Sequence, residues 1–199
     1  MILLFFQVNL VALGSCGAFV HGLEDECLSV RSASVEALTK LSIGDQELAM
    51  IALDFLVDMF NDEIEQVRLK AIESLTAISR HILLQVRWSS IPTSFSTFFL
   101  QVHQLEVILS ALDDFSTLLR EKLHLMLQAC TIATKDGLEN VIQKLKANLK
   151  RYPQDRRSIL MTFKHLGSNH PDLTLPLVPS LLEIHPYFDK QVWLPVLAP

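Results

Sequence analysis

Apolar residues recur along most of the chain at intervals of three and four. Leu105, Ile108, Leu109 and Leu112 form one stripe, and Leu138, Val141, Ile142, Leu145 and Leu149 form another. That period places each set on one face of an α-helix, and strictly alternating β-branched runs are scarce, so the chain reads as all-α. The stripes are separated by short breaks at Gly44-Asp45, Gly137, Pro153 and Asn169-His170-Pro171. Breaks this short predict helical hairpins in succession. Proline is tolerated only in a first helical turn, so Pro179 predicts the start of a short helix near the C-terminal end.

The helices repeat. Residues 22–42 superimpose on residues 59–79 at an offset of 37, with eight of 21 positions identical: Asp25/Asp62, Glu26/Glu63, Val30/Val67, Arg31/Arg68, Glu36/Glu73, Leu38/Leu75, Thr39/Thr76 and Ser42/Ser79. A third copy begins at Asp114, with Leu119-Arg120 in place of Val67-Arg68 and Leu127 in place of Leu75. A fixed period in this range marks a stacked array, in which each unit buries an apolar face against its neighbours. Helix pairs of this length and register follow the HEAT pattern, and residues 1–199 are expected to form a single α-solenoid of HEAT-like hairpins.

Within each copy an aspartate precedes a Val/Leu-Arg pair, the arginine lying six residues further on. A carboxylate there caps the free amides at the start of the second helix, and an arginine fork can reach it. Stacked copies should therefore form a ladder linking Asp25, Asp62 and Asp114 to Arg31, Arg68 and Arg120. Partly exposed rungs contribute about 1 kcal/mol each at most, so the ladder sets register while apolar burial holds the stack. The expected seam runs through Val30, Ser34, Leu38 and Leu41 in one second helix and Val67, Ala71, Leu75 and Ile78 in the next. In the first helix between them it runs through Leu48, Ile51, Phe55 and Met59.

Between the second and third copies the offset grows from 37 to 52. Residues 86–101, VRWSSIPTSFSTFFLQ, carry no charge after Arg87 and fit neither flanking stripe. They read as an insertion, either a surface loop or a translated intron whose ends can be encoded by splice-site-like sequence. Residues 1–13, MILLFFQVNLVAL, are apolar but too short to span a bilayer, and they lack the basic start of a signal peptide. A truncated or atypical N-terminal repeat helix is expected there.

Composition narrows the function classes. Half the residues are apolar, and the formal charge of −5 gives no case for a chain that coats nucleic acid. Cys16, Cys27 and Cys130 contain no CxxC pair and read as buried thiols. No phosphate-binding glycine loop, HExxH pair or nucleophile motif occurs, so no catalytic residue, cofactor or metal is expected. Charge is uneven. Residues 22–65 hold 11 acids against Arg31 and Lys40, a balance of −9, and residues 135–164 hold eight lysines and arginines against three acids, a balance of +5. Lys144, Lys146, Lys150, Arg151, Arg156 and Arg157 straddle Pro153 and are candidates for an anionic partner: RNA phosphate, an inositol phosphate or an acidic segment.

Several strings carry more specific information: GSCGAFVHGLEDE at 14–26, DFLVDMFNDEIEQVRLKAIESL at 54–75, LKRYPQDRRSI at 149–159 and HLGSNHPDLTLPLVPSLLEIHPYFD at 165–189. Through most of residues 14–189, apart from the insertion, the chain resembles the Integrator complex subunit 4 family; DKQVWLPVLAP at the end fits poorly, and the family's large C-terminal part is absent. The resemblance implies a nuclear, non-catalytic scaffold with no membrane association. Its implied partners are Integrator subunits, above all the pair of metallo-β-lactamase-fold proteins forming the RNA endonuclease of the complex, with indirect contact to small nuclear RNA and other RNA polymerase II transcripts. The same repeats are also compatible with another adaptor, such as a transport receptor or phosphatase scaffold.

Overall fold

The structure is a computed structural model and describes residues 17–88, 99–100 and 102–182. Hairpins follow one another: α1 (Gly17–Leu23) with α2 (Leu28–Gly44), α3 (Gln46–Asp58) with α4 (Glu65–Trp88), α5 (Val102–Ala111) with α6 (Thr117–Ala129), and α7 (Lys135–Arg151) with α8 (Arg156–Asn169). Two one-turn helices, α9 (Pro171–Thr174) and α10 (Val178–Leu181), follow, each with a proline in its first turn.

The second helices α2, α4, α6 and α8 pack side by side in one layer, and the first helices α3, α5 and α7 pack in the other. A two-residue parallel pairing of β1 (Phe99–Leu100) with β2 (Thr131–Ile132) is the only strand structure among the described residues. The architecture is therefore an all-α stack of helical hairpins.

Local chemistry explains the boundaries. The Asp45 carboxylate accepts hydrogen bonds from the amides of Glu47 and Leu48 at 2.9 and 3.2 Å and starts α3. Thr134 Oγ1 accepts from Gly137 N at 3.0 Å and starts α7. Gly137 is thus inside the first turn of α7, and the expected break falls at 130–134 instead. A β-carbon on Gly137 would lie 3.2 Å from Ile132 and 3.3 Å from Leu105, so glycine allows α7 to approach its neighbours closely.

One continuous apolar core runs through all the hairpins. In α4 the expected seam of Val67, Ala71, Leu75 and Ile78 is fully buried. In α2, Ser34 and Leu38 face inward with Arg31, Val35 and Ser42, whereas Val30 is 39% exposed. The two valines differ because α4 is flanked by α2 and α6, while α2 has a neighbour in its layer on one side only among the described residues. In α3 the seam passes through Leu48, Ala49, Ala52, Leu53, Leu56 and Val57, which corrects the expected phase by about one residue and leaves Ile51 41% exposed. Of the cysteines, Cys130 is buried, but Cys27 is exposed at the start of α2, against expectation.

The ends of the segment read as an insertion take part in the fold. Residues 86–88 continue α4, and Leu100 is buried in the core beside the strand pairing. Residues 89–98 and 101, and the expected helix at 1–13, lie outside the described residues.

Candidate functional site

The turns between first and second helices align along one edge of the stack and bring the aspartates and arginines together in a staggered way. Each arginine is first fixed by its own turn: Nη1 of Arg31, Arg68 and Arg120 donates to the backbone carbonyl of Asp25, Asp62 and Asp114, at 2.8 Å in all three cases. Each aspartate likewise caps its own turn, Oδ1 of Asp25, Asp62 and Asp114 accepting from Cys27, Ile64 and Ser116 amides at 2.8 Å. The charged contacts then cross to the next hairpin. Arg31 Nε lies 2.9 Å from Asp62 Oδ2, Arg68 Nη2 3.1 Å from Asp114 Oδ2, and Arg120 Nε 2.6 Å from Asp155 Oδ2.

Asp155 is the member that sequence reasoning missed. It ends the 3-10 turn Pro153–Asp155, and the residue six positions on is Met161, so the Asp-to-Arg spacing that marks the other turns is missing. Its pair with Arg120 is also the most enclosed, each side chain only 1% exposed, with the guanidinium 3.8 Å from the centre of the Tyr152 ring. Asp155 departs from the pattern in a second respect: its Oδ1 is buried and has no hydrogen-bond partner among the described residues.

A second set of inter-hairpin contacts runs across the layer of second helices. Glu36 meets Lys70 at 2.9 Å, and Glu73, its repeat equivalent, meets Lys122 at 2.6 Å. Glu36 also pairs with Lys40, and the two lysines hold its carboxyl down at about 2. The signal was present in the sequence, since Lys70 and Lys122 each lie two residues after a ladder arginine.

The basic cluster is divided. On α7, Lys144 and Arg151 lie on one flank of the buried face and both reach Asp113, at 2.6 and 3.5 Å. Lys146 and Lys150, displaced around the helix, lie on the other flank. Arg156 and Arg157 are exposed on the first turn of α8. The turn of α7 and the bend at Pro153 thus separate six residues that are close in sequence. The acidic stretch is also partly consumed internally, by Asp45 as a cap, by Asp62 in the ladder, and by Asp54, whose carboxyl is lowered by hydrogen bonds from Gln104 and His103.

His124 on α6 is enclosed, with Nδ1 2.6 Å from Ser158 Oγ, and desolvation lowers it to about 4. Burial lowers His170 as well. Both rings are neutral at pH 7. Unfolded histidine titrates near 6.5, so between about 6.5 and 4 the unfolded chain takes up a proton that the folded chain refuses. Stability is therefore expected to fall as pH drops through that window, by on the order of 3 kcal/mol for His124, and to level off below it for this group. Urea midpoints measured from pH 7 to 4 should show the loss, and His124→Asn should remove most of the difference; an unchanged slope in the variant would rule out His124 as its source.

No group of three or more His, Cys, Asp or Glu side chains suited to a metal occurs among the described residues, and no helix among them is long and apolar enough to cross a membrane.

Comparison with known proteins places this geometry. The HEAT repeat family matches residues 52–82, from within α3 through most of α4. Integrator complex subunit 4 of Drosophila melanogaster is 46% identical over 183 residues, covering 92% of this chain and 16% of that protein. The Homo sapiens protein of the same name is 47% identical over 182 residues, again 92% of this chain and 17% of that protein. Among solved structures, the crystal structure of an engineered protein matches with a TM-score of 0.53 at 14% identity, covering 80% of this chain and 65% of that one, a likeness of fold alone. Over 92% of its length the chain is therefore similar to 16–17% of the length of those two relatives, both named Integrator complex subunit 4.

Proposed function

We propose that this chain is a non-catalytic scaffold segment within the Integrator complex, acting in the nucleus by presenting helix faces to other proteins. The observation that carries the reading is the 46–47% identity over 92% of the chain, extending well beyond the repeat signature itself. Its finer part is that the surface supports the RNA endonuclease module, the pair of metallo-β-lactamase-fold subunits that process the 3′ ends of small nuclear RNA and other RNA polymerase II transcripts. A stack whose successive turns are tied together by an Asp–Arg ladder suits such a role, because its register is set internally and its outer faces are left to partners.

Affinity purification of the tagged chain followed by mass spectrometry is expected to recover Integrator subunits, the endonuclease pair among them. Recovery of a transport or phosphatase assembly in their place would overturn the reading, and so would turnover of RNA or phosphoester by the chain alone. Replacing Arg151, Arg156 and Arg157 by glutamate is expected to reduce capture of anionic partners; unchanged capture would remove these residues from the interface.

A further inference from the structure

The Glu-to-Lys contacts that bridge α2 to α4 and α4 to α6 do not continue to α8. In the register that equates Glu36 with Glu73, the third position is Leu125, so α6 offers no acid at that position for a bridge to α8. A groove of about 350 Å³ opens there. Leu125 and Met161, 42% and 43% exposed, give it apolar sides. Glu121 and Gln128 supply acceptors from α6, Arg157 stands on α8, and Asp155 lines it from below.

Asp155 makes this more than an exposed apolar strip. The other ladder aspartates spend one oxygen on an amide of their own turn and, where a preceding arginine exists, the other on its guanidinium. Asp155 gives Oδ2 to Arg120, its Oδ1 is buried without a hydrogen-bond partner among the described residues, and the residue is part of the groove lining. A buried carboxylate oxygen without a donor is costly, and an N–H on a stem long enough to pass the apolar sides would relieve it. Lysine and arginine meet both demands, their methylenes lying along Leu125 and Met161 while the charged head reaches Asp155 and Glu121.

We infer that the groove between α6 and α8 is a docking site for a basic side chain, lysine or arginine, carried by a segment of a partner protein. The inference rests on the scaffold reading only in taking the partner to be protein, and it is tested on the isolated 199-residue chain.

The probe is a set of 12-residue Ala/Ser peptides with one central residue varied among Arg, Lys, Gln, Leu and Glu, binding being followed by fluorescence anisotropy. Arg- and Lys-centred peptides are expected to bind about tenfold or more tighter than the others, the effect of one charge-assisted hydrogen bond. Leu125→Arg, which fills the groove from an exposed position, and Glu121→Lys are each expected to abolish the preference without lowering the melting temperature. No preference for a basic centre, a preference that survives Leu125→Arg, or tightest binding of the Glu-centred peptide through Arg157 would overturn the proposal. Peptide discrimination by a chain that recovers no Integrator subunit would leave the groove standing and remove the scaffold reading, so the two fail separately.

Discussion

Arg120→Ala is expected to lower the unfolding free energy by about 3–5 kcal/mol, read as a shift of the urea midpoint at constant slope. Arg120 is almost entirely enclosed. It donates to Asp155 at 2.6 Å, to the carbonyls of Asp114 and Phe115 at 2.8 and 3.0 Å, and to Thr117 Oγ1 at 3.3 Å. Truncation removes all four bonds and leaves the Asp155 carboxylate buried with neither oxygen paired. The cost comes from that uncompensated charge, because desolvation offsets most of what a buried pair gains. Two controls separate the causes. Arg68→Ala breaks a rung whose side chains are 18% and 21% exposed, and should cost about 1 kcal/mol for the ion pair itself. Arg120→Met combined with Asp155→Leu removes both charges and should recover much of the single-variant loss. Equal losses for Arg68→Ala and Arg120→Ala would show that burial does not set the energetics of the ladder.

The second large effect lies in the apolar seam. Leu75 is fully buried on α4, between α2 and α6, and Leu75→Ala is expected to cost about 3–4 kcal/mol from lost transfer energy and the cavity left behind. Ile51→Ala, at a position the sequence also placed in the seam, should cost less than about 1 kcal/mol because its side chain is 41% exposed. Calorimetric melting of the two variants decides between the phase of α3 expected from sequence and the phase observed. A loss for Ile51→Ala matching that for Leu75→Ala would restore the former.

Self-similarity made the repeat legible before any coordinates. Eight identities in 21 positions located two copies, and the spacing from Asp62 to Arg68 identified the residues of the ladder. Repetition reveals which positions are equivalent, but not which equivalents touch. The ion pairs therefore run from one hairpin to the next, while the hydrogen bond to an aspartate carbonyl stays within the turn. The same limit hid the Glu36–Lys70 and Glu73–Lys122 contacts. Asp155 escaped notice because Met161 stands where an arginine would complete the spacing. Gly137 was misplaced because a glycine that permits close packing resembles one that ends a helix. The basic cluster looked contiguous because sequence distance ignores the turn of the helix, which sets Lys146 and Lys150 on one flank and Lys144 and Arg151 on the other.

The stagger of the arginines also gives the stack a direction of growth. Each guanidinium is oriented by carbonyls of its own turn, so a completed hairpin holds out a fixed cation towards the corner that comes after it. A polypeptide leaving the ribosome amino end first would find, at every step, a preset template for the next bend. Construction from the opposite end would set down carboxylates still lacking the cations meant to neutralise them.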